Sequence, residues 1–394
     1  MGNPAWRFEG NEIKYLRQVI ETGFRAGSDG SFNERLEEKW NLLHKSKFSI
    51  TSNSCTSSLH AGLLALGCGP GDEVLVPSLT PLMCGLTIHY TGATPVYVDS
   101  LIDTFLMDPV DLESKITSKT KAIKVVHMYG GVCNIEKIME ISKKYNIPVV
   151  EDCAQGLWGN DHRGVVTGTS GDISTFSFEN SKQLTSGDGG MASTNDENLA
   201  QKIRQIGGLG FKNITASTGK IRIDRDLFQN PDWERFESIG YNFRMSELCA
   251  AVALAQAEQI DKYIDLRRSM GEAYRKVTEN SELVSAQHQP KGYKYTYYTF
   301  SMLFKGSHHG IKWKDFRKKH VENGGDGFFS AAKLLYQEPA FRNNKIGRCI
   351  TPNSEFLQQN LMNLTTNQAN KDEIDIQSEA LMKTLKYFGD KIHG

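Results

Sequence analysis

Thr175-Phe-Ser-Phe-Glu-Asn-Ser-Lys182-Gln-Leu-Thr-Ser-Gly-Asp-Gly-Gly190 decides how this chain is read. An apolar, aromatic run stops abruptly, one lysine follows, and a glycine-rich turn opens onto Met191-Ala192. A strand of that kind delivers an amine to a strand end, where open α/β sheets bind their ligands. An amine held beside low-dielectric walls is a usable nucleophile for a carbonyl, the first requirement of Schiff-base chemistry. Taken alone, a solvated loop lysine is the plainer reading, because exposed lysines are the norm.

A second stretch shifts the balance. Tyr145-Asn-Ile-Pro-Val-Val-Glu-Asp152-Cys-Ala-Gln155 reads as a short buried parallel strand with carboxylates at its carboxyl end. Ala122-Ile-Lys-Val-Val-His127-Met-Tyr-Gly130-Gly131 reads as its neighbour, and Asn134 to Lys144 carries apolar residues at helical spacing between them. The right-handed β-α-β rule puts both strand ends on one side, so Asp152 and Lys182 reach one crevice. A buried carboxylate needs a positive partner. The ring nitrogen of pyridoxal phosphate is such a partner, and a carboxylate there keeps the ring an electron sink.

With these residues in place the chain resembles the vitamin B6-dependent sugar aminotransferases of the DegT/DnrJ/StrS family. Five stretches match in the family's order. They are Ser54-Cys-Thr56-Ser-Ser-Leu-His60, Val76-Pro-Ser-Leu-Thr80 through Gly92-Ala-Thr-Pro-Val96, Glu151-Asp152-Cys-Ala-Gln155, Gly171-Asp172 through Gly190, and Gly240-Tyr-Asn242-Phe-Arg244-Met-Ser246. The resemblance runs from about Gly23 to Gln256, and more weakly to the C-terminus.

The resemblance implies an α/β, aspartate-aminotransferase-like fold of type I. Its large domain, 1–265, would hold a mostly parallel mixed sheet covered by helices, with an N-terminal helix over 11–21. A smaller α+β domain would follow at 266–394. Pyridoxal 5'-phosphate would be the cofactor. Lys182 would carry it and move the proton at the substrate carbon. Asp152 would pair with the ring nitrogen and Gln155 with the phenolic oxygen. Cys55 and Thr56 would offer backbone N–H groups, and Thr56 its hydroxyl, to the phosphate. Thr56 opens the apolar helix that follows, and helix N-termini bind anions. Ser177 would add a hydroxyl. Asn242 would reach the phosphate of the partner subunit, which makes a homodimer with shared active sites.

Three positions depart from the family's pattern. Cys55 stands where glycine is frequent, Pro81 where an aromatic ring stacks on the cofactor, and Glu179 where histidine, tyrosine or glutamine is common. Asn242 could equally cap the helix that follows it. His127 could be a cofactor neighbour or a satisfied core histidine. Asp172 reads as a turn former after Gly171.

Composition narrows the partners. The chain has 394 residues, with Lys plus Arg and Asp plus Glu both at 46, so no general basic surface attracts nucleic acid or an anionic membrane. The 7 cysteines are scattered without a Cys-x-x-Cys pair, which argues against a disulfide framework, a structural metal site or an iron–sulfur cluster. The N-terminus lacks an apolar signal region and no run reaches membrane-spanning length, so a cytoplasmic location is expected. Leu248–Lys276 reads as one long helix joining the two domains. Tyr293–Phe304 alternates like an antiparallel strand. Trp313–Asn323 and Glu379–Ile392 read as helices. Gly324–Phe329 and Arg342–Arg348 read as loops at the active-site mouth.

The expected activity is transfer of an amino group from an amino acid, glutamate by resemblance, to a keto- or aldehydo-sugar. The product would be an amino sugar for a surface polysaccharide, lipopolysaccharide or secondary metabolite. Similarity to an octulosonate branch of the family suggests C8 of a 3-deoxy-octulosonate as one acceptor position. Three alternatives stand beside it: a sugar dehydratase, whose relatives replace the lysine by histidine; a cysteine desulfurase or other type I enzyme; and a non-enzymatic, cofactor-binding regulator.

Overall fold

The computed structural model describes residues 4–28, 30–217, 226, 229–347 and 350–393. Two sheets organise them. The larger has seven strands: β1 Phe48–Ser52, β2 Glu73–Pro77, β3 Thr94–Val98, β4 Thr120–Val126, β5 Val149–Asp152, β6 Ile173–Ser177 and β7 Gly190–Thr194. Their spatial order is β1-β7-β6-β5-β4-β2-β3. Every pair from β6 to β3 is parallel, while β7 runs antiparallel to both β6 and β1. The fold is therefore α/β with a mostly parallel mixed sheet, as expected.

Val125, Val149, Val150 and Ile173 are fully buried, as strands covered on both faces require. Helices Cys55–Ala65 and Leu82–Tyr90 pack on the face that carries Lys124, Val126 and Asp152. Adjacent strand residues point to opposite faces. Glu151 and His127 therefore lie on the other face.

The smaller sheet is antiparallel, in the order β10-β11-β9-β8: β8 Val284–Ala286, β9 Thr299–Phe304, β10 Phe329–Ser330 and β11 Leu361–Thr365. A separate cluster of Tyr274, Phe300, Met302, Phe316, Phe328 and Phe388 fills the space around it. Leu334, Leu335, Phe341 and Leu357 instead join the core of the large sheet. Their segment is stitched to the carboxyl ends of β2 and β3, where Ser78 donates to Thr351 (3.0 Å) and Ser354 to Asp99 (2.8 Å).

The expected helix over Leu248–Lys276 is two helices, Glu247–Ala257 and Ile260–Thr278. The break falls at Glu258, whose carboxylate accepts from Asn11 (2.7 Å) and from the Tyr15 hydroxyl (2.7 Å) of the N-terminal helix Glu12–Glu21. Of the expected strand Tyr293–Phe304, Thr299–Phe304 joins the sheet, while Lys294 makes an isolated antiparallel bridge to Asn160. The last helix is longer than expected, Lys371–His393. Trp313–Glu322 is a helix as expected, and Gly324–Gly327 is a loop. Arg348, at the end of the other expected loop, lies outside the described residues.

Candidate active site

Lys182 lies in the connection from β6 to β7, half-buried, with its backbone N–H on the Glu179 carbonyl (3.0 Å). Its Nζ sits 4.4 Å from the centre of the Tyr298 ring. The Tyr298 hydroxyl meets the Ser181 hydroxyl at 2.7 Å, and Ser181 in turn donates to Glu179 (2.6 Å). Glu179 is therefore tied into the lysine turn.

Asp152 ends β5, pairs in register with Val126 and Thr175, and is 3 % exposed. Its Oδ1 accepts from the Ala154 N–H (3.0 Å) and its Oδ2 from the Cys84 thiol (3.2 Å). The Thr80 hydroxyl donates onward to the Cys84 sulfur (3.2 Å). Burial, and then the charge of Asp152, push the Cys84 thiol well above its ordinary range, so it stays a donor. Beneath them the fully buried Lys124 donates to the Cys84 carbonyl (2.9 Å) and the Thr87 hydroxyl (2.6 Å). Burial lowers its proton affinity; the neighbouring cysteines and Asp152 work against that.

Gln155 is buried, and its Oε1 accepts from the Tyr129 N–H (2.7 Å), which leaves its amide N–H groups to donate. Ser177 ends β6, half-buried, and its hydroxyl oxygen accepts from the Glu179 N–H (3.3 Å). Ser54, not Thr56, caps helix Cys55–Ala65: its Oγ accepts from Ser57 N–H (3.2 Å). Cys55 and Thr56 are thus the first two helical residues, and that cap leaves their N–H groups unused. A Cβ on Gly190 would collide with the Cys55 nitrogen, so only glycine lets β7 pass this helix end.

Asn242 is exposed, and its carbonyl accepts from the Asn53 side chain (3.4 Å) next to that helix end. It does not cap the following helix; Ser246 does, through Cys249 N–H (3.2 Å).

Pyridoxal phosphate fits these residues. Thr175 Oγ1 is buried on the face of Asp152, with only the Cys55 thiol beside it. The bare helix end gives a phosphate two N–H donors and the positive end of a helix dipole.

His127 is a core group. Its Nδ1 accepts from the Cys133 N–H (3.2 Å), which leaves the proton on Nε2, 3.0 Å from Glu151. Glu151 also accepts from the backbone of Gly168, Ser170 and Gly171. His127, Glu151 and Cys153 have ligand atoms within 4.8 Å of one another, yet these bonds already occupy the carboxylate. Asp172 holds the start of β5 through Val149 N–H (2.8 Å), the structural part expected of it. Tyr298, Cys84, Thr175 and Lys124 were not singled out from sequence. Only Lys124 left a signal there, a charge inside an apolar strand.

A lysine and a carboxylate at the carboxyl ends of an α/β sheet, beside an open helix end, define a site of the pyridoxal-phosphate aminotransferase type. The sequence profile of the DegT/DnrJ/EryC1/StrS aminotransferase family matches residues 7–377, and the chain belongs to that family. It is 38% identical over 294 residues to a GDP-perosamine synthase of Escherichia coli O157:H7, covering 75% of each chain. Its structure is similar to an aminotransferase from Psychrobacter cryohalolentis, with a TM-score of 0.86, 24% identity and 97% of each chain covered. It is also similar to a GDP-4-keto-6-deoxymannose-3-dehydratase, ColD, in a mutant form with bound GDP-perosamine. That match has a TM-score of 0.82 and 22% identity, and covers 94% of this chain and 97% of the other.

Proposed function

We propose that the protein moves an amino group from an amino acid, glutamate, onto the carbonyl of a keto- or aldehydo-sugar, using pyridoxal phosphate. What supports this is a buried carboxylate, Asp152, and a lysine, Lys182, whose charges both act on the Cys55 thiol at the open helix end, in a chain with GDP-perosamine synthases among its relatives. When bound, the cofactor supplies an electron sink for charge that develops at the substrate carbon. Lys182 holds it covalently and moves a proton to and from that carbon. Asp152 accepts from the ring N–H. The Gln155 amide donates to the phenolic oxygen. Cys55 and Thr56 N–H groups, with the Thr56 and Ser177 hydroxyls, hold the phosphate.

A second copy of the chain completes each site through Asn242. The exposed Phe236, Ile239 and Tyr241 flank that residue, as an interface would require. Residues 1–265 form the cofactor domain and 266–394 the smaller one. No helix among the described residues is long and apolar enough to cross a membrane; we place the enzyme in the cytoplasm, where sugar donors are made. The product serves surface polysaccharide or lipopolysaccharide. The acceptor is a nucleotide-linked keto-sugar of the perosamine type. A second acceptor, oxidised at C8 of 3-deoxy-octulosonate, rests on the sequence resemblance alone. The lysine at 182 speaks against a dehydratase.

The test is direct. Wild-type protein with the cofactor and glutamate should release 2-oxoglutarate and then aminate GDP-4-keto-6-deoxymannose or the 8-oxo octulosonate. Lys182→Ala should bind cofactor without borohydride fixation and should do neither. Full turnover by that variant would overturn the reading, and whichever sugar is aminated names the acceptor.

A further inference from the structure

Two buried arginines from distant parts of the chain grip the turn that carries Lys182. Arg7, in the short turn Pro4–Phe8, donates to the carbonyls of Asn180 (3.2 Å), Lys182 and Gln183 (3.2 Å). Arg267, in helix Ile260–Thr278, donates to the carbonyls of Ser181 (3.2 Å), Lys182 (3.5 Å) and Tyr298 (3.0 Å). It also reaches the Thr366 hydroxyl (3.2 Å) and the Asn367 amide oxygen (3.3 Å). Every carbonyl from Asn180 to Gln183 therefore accepts from a guanidinium.

Both side chains are buried, at 4% and 3% exposure. Among the described residues no carboxylate forms an ion pair with either. A buried charge without a counter-ion is costly unless dipoles replace the lost water. Here the replacing dipoles are the carbonyls of the lysine turn, joined for Arg267 by the Tyr298 carbonyl, the Thr366 hydroxyl and the Asn367 amide oxygen, and charge-assisted bonds of this kind are the stronger class. The planar guanidinium fork reaches several carbonyls at once, which an ammonium cannot match in fixed geometry. A turn that needed only to close could have used neutral donors.

Arg7 is itself anchored. Its carbonyl accepts from the Tyr263 hydroxyl (2.8 Å) and from Gln256 Nε2. Gln256 and Tyr263 stand on the two helices that meet at Glu258, so the N-terminal segment, the helix junction and the lysine turn form one connected unit.

We propose that Arg7 and Arg267 are positioning residues that set the backbone under Lys182 from both sides, which makes the N-terminal segment a working part of the active site. The proposal rests on the reading of Lys182 as the cofactor-bearing residue. Neither arginine acts on substrate; both act through the lysine's main chain.

Hydrogen exchange on the cofactor-free protein tests the clamp independently of that reading. Arg7→Met should raise exchange of peptides covering 178–189 by about tenfold or more, the factor expected when bonds to a charged group are lost. Arg7→Lys should restore part of the protection. Tyr263→Phe, which keeps both guanidiniums but removes one of the two bonds to the Arg7 carbonyl, should move the same peptides less. In the loaded enzyme Arg7→Met should lower kcat with little change in the KM for the amino donor, and should slow borohydride fixation on Lys182. Unchanged exchange at 178–189 in Arg7→Met and Tyr263→Phe would overturn the clamp. Raised exchange with unchanged kcat would overturn its part in the active site. A wild-type protein that fixes no cofactor at Lys182 would instead sink the functional reading and leave the exchange result standing.

Discussion

Asp152 has one oxygen on a backbone N–H and the other on a thiol. Each oxygen keeps a lone pair free, enough to accept from the ring N–H proposed for it. The Thr80–Cys84–Asp152 chain fixes the carboxylate's angle, so Cys84 should matter although it touches no substrate. Cys84→Ala removes a hydrogen bond to a charged group, worth about 1.5–3 kcal/mol. The half-reaction with glutamate should slow by roughly tenfold or more in single-turnover absorbance measurements. Cys84→Ser keeps a donor and should stay near the wild-type rate. Equal slowing in both variants would show that sulfur packing, not the donated hydrogen bond, is what counts. Asp152 and Lys182 were legible because strand ends and handedness are encoded locally. Cys84 was not, because Leu82–Tyr90 is an apolar helix in which one thiol carries no pattern. Tyr298 escaped for another reason: it is 117 positions from its partner Ser181, and nothing local marks that pairing.

At the scale of elements, sequence reading located some of the helices and misjudged several of their ends. Ser54 and Thr56 are both cap-forming types, and Ser54 won because its extended backbone (φ −166°, ψ 158°) lets its hydroxyl meet Ser57 N–H. The long helix was split by Glu258, whose partners come from residues 11 and 15, far outside any local window. Helix Trp313–Glu322 carries a cost visible only in three dimensions. His320 is fully buried against Phe328 and Gly325, with the backbone of Ala380 and the side chains of Asp326 and Arg317 as the polar groups that act on it. Burial lowers its pKa from 6.5 to about 4, against the weaker pull of Asp326. The unfolded chain therefore takes up a proton first as pH falls. The contribution is intact above about pH 6.5 and is lost progressively toward pH 4, by at most about 1.4 kcal/mol per pH unit. Urea unfolding at pH 7 and pH 5 should show wild type losing more stability than His320→Gln across that interval. Identical losses would mean that His320 titrates no differently in the folded protein.

For the whole molecule the open question is how many chains make a site. Asn242 is exposed, yet the chain around it docks on Asn53 beside the N-terminal end of helix Cys55–Ala65. Phe236 at 53 %, Ile239 at 92 % and Tyr241 at 38 % exposure surround it, and large apolar side chains gathered this way mark a contact surface. In a two-fold dimer the same patch serves both subunits, so an Asn242 that reaches across would do so twice. Cofactor affinity should then depend on protein concentration, because splitting the dimer removes a donor from each phosphate. Asn242→Ala alone should weaken cofactor binding by about 1 kcal/mol or more. The decisive measurement mixes Asn242→Ala, weakened at limiting cofactor, with the inactive Lys182→Ala. If Asn242 serves the neighbouring site, a mixed dimer gathers both lesions in one site and leaves the other intact, and activity should partly return. If Asn242 serves its own site, each mixed dimer carries one lesion in each site and no activity returns. The sign of that result assigns the residue to its own subunit or to the partner, whatever the acceptor sugar proves to be.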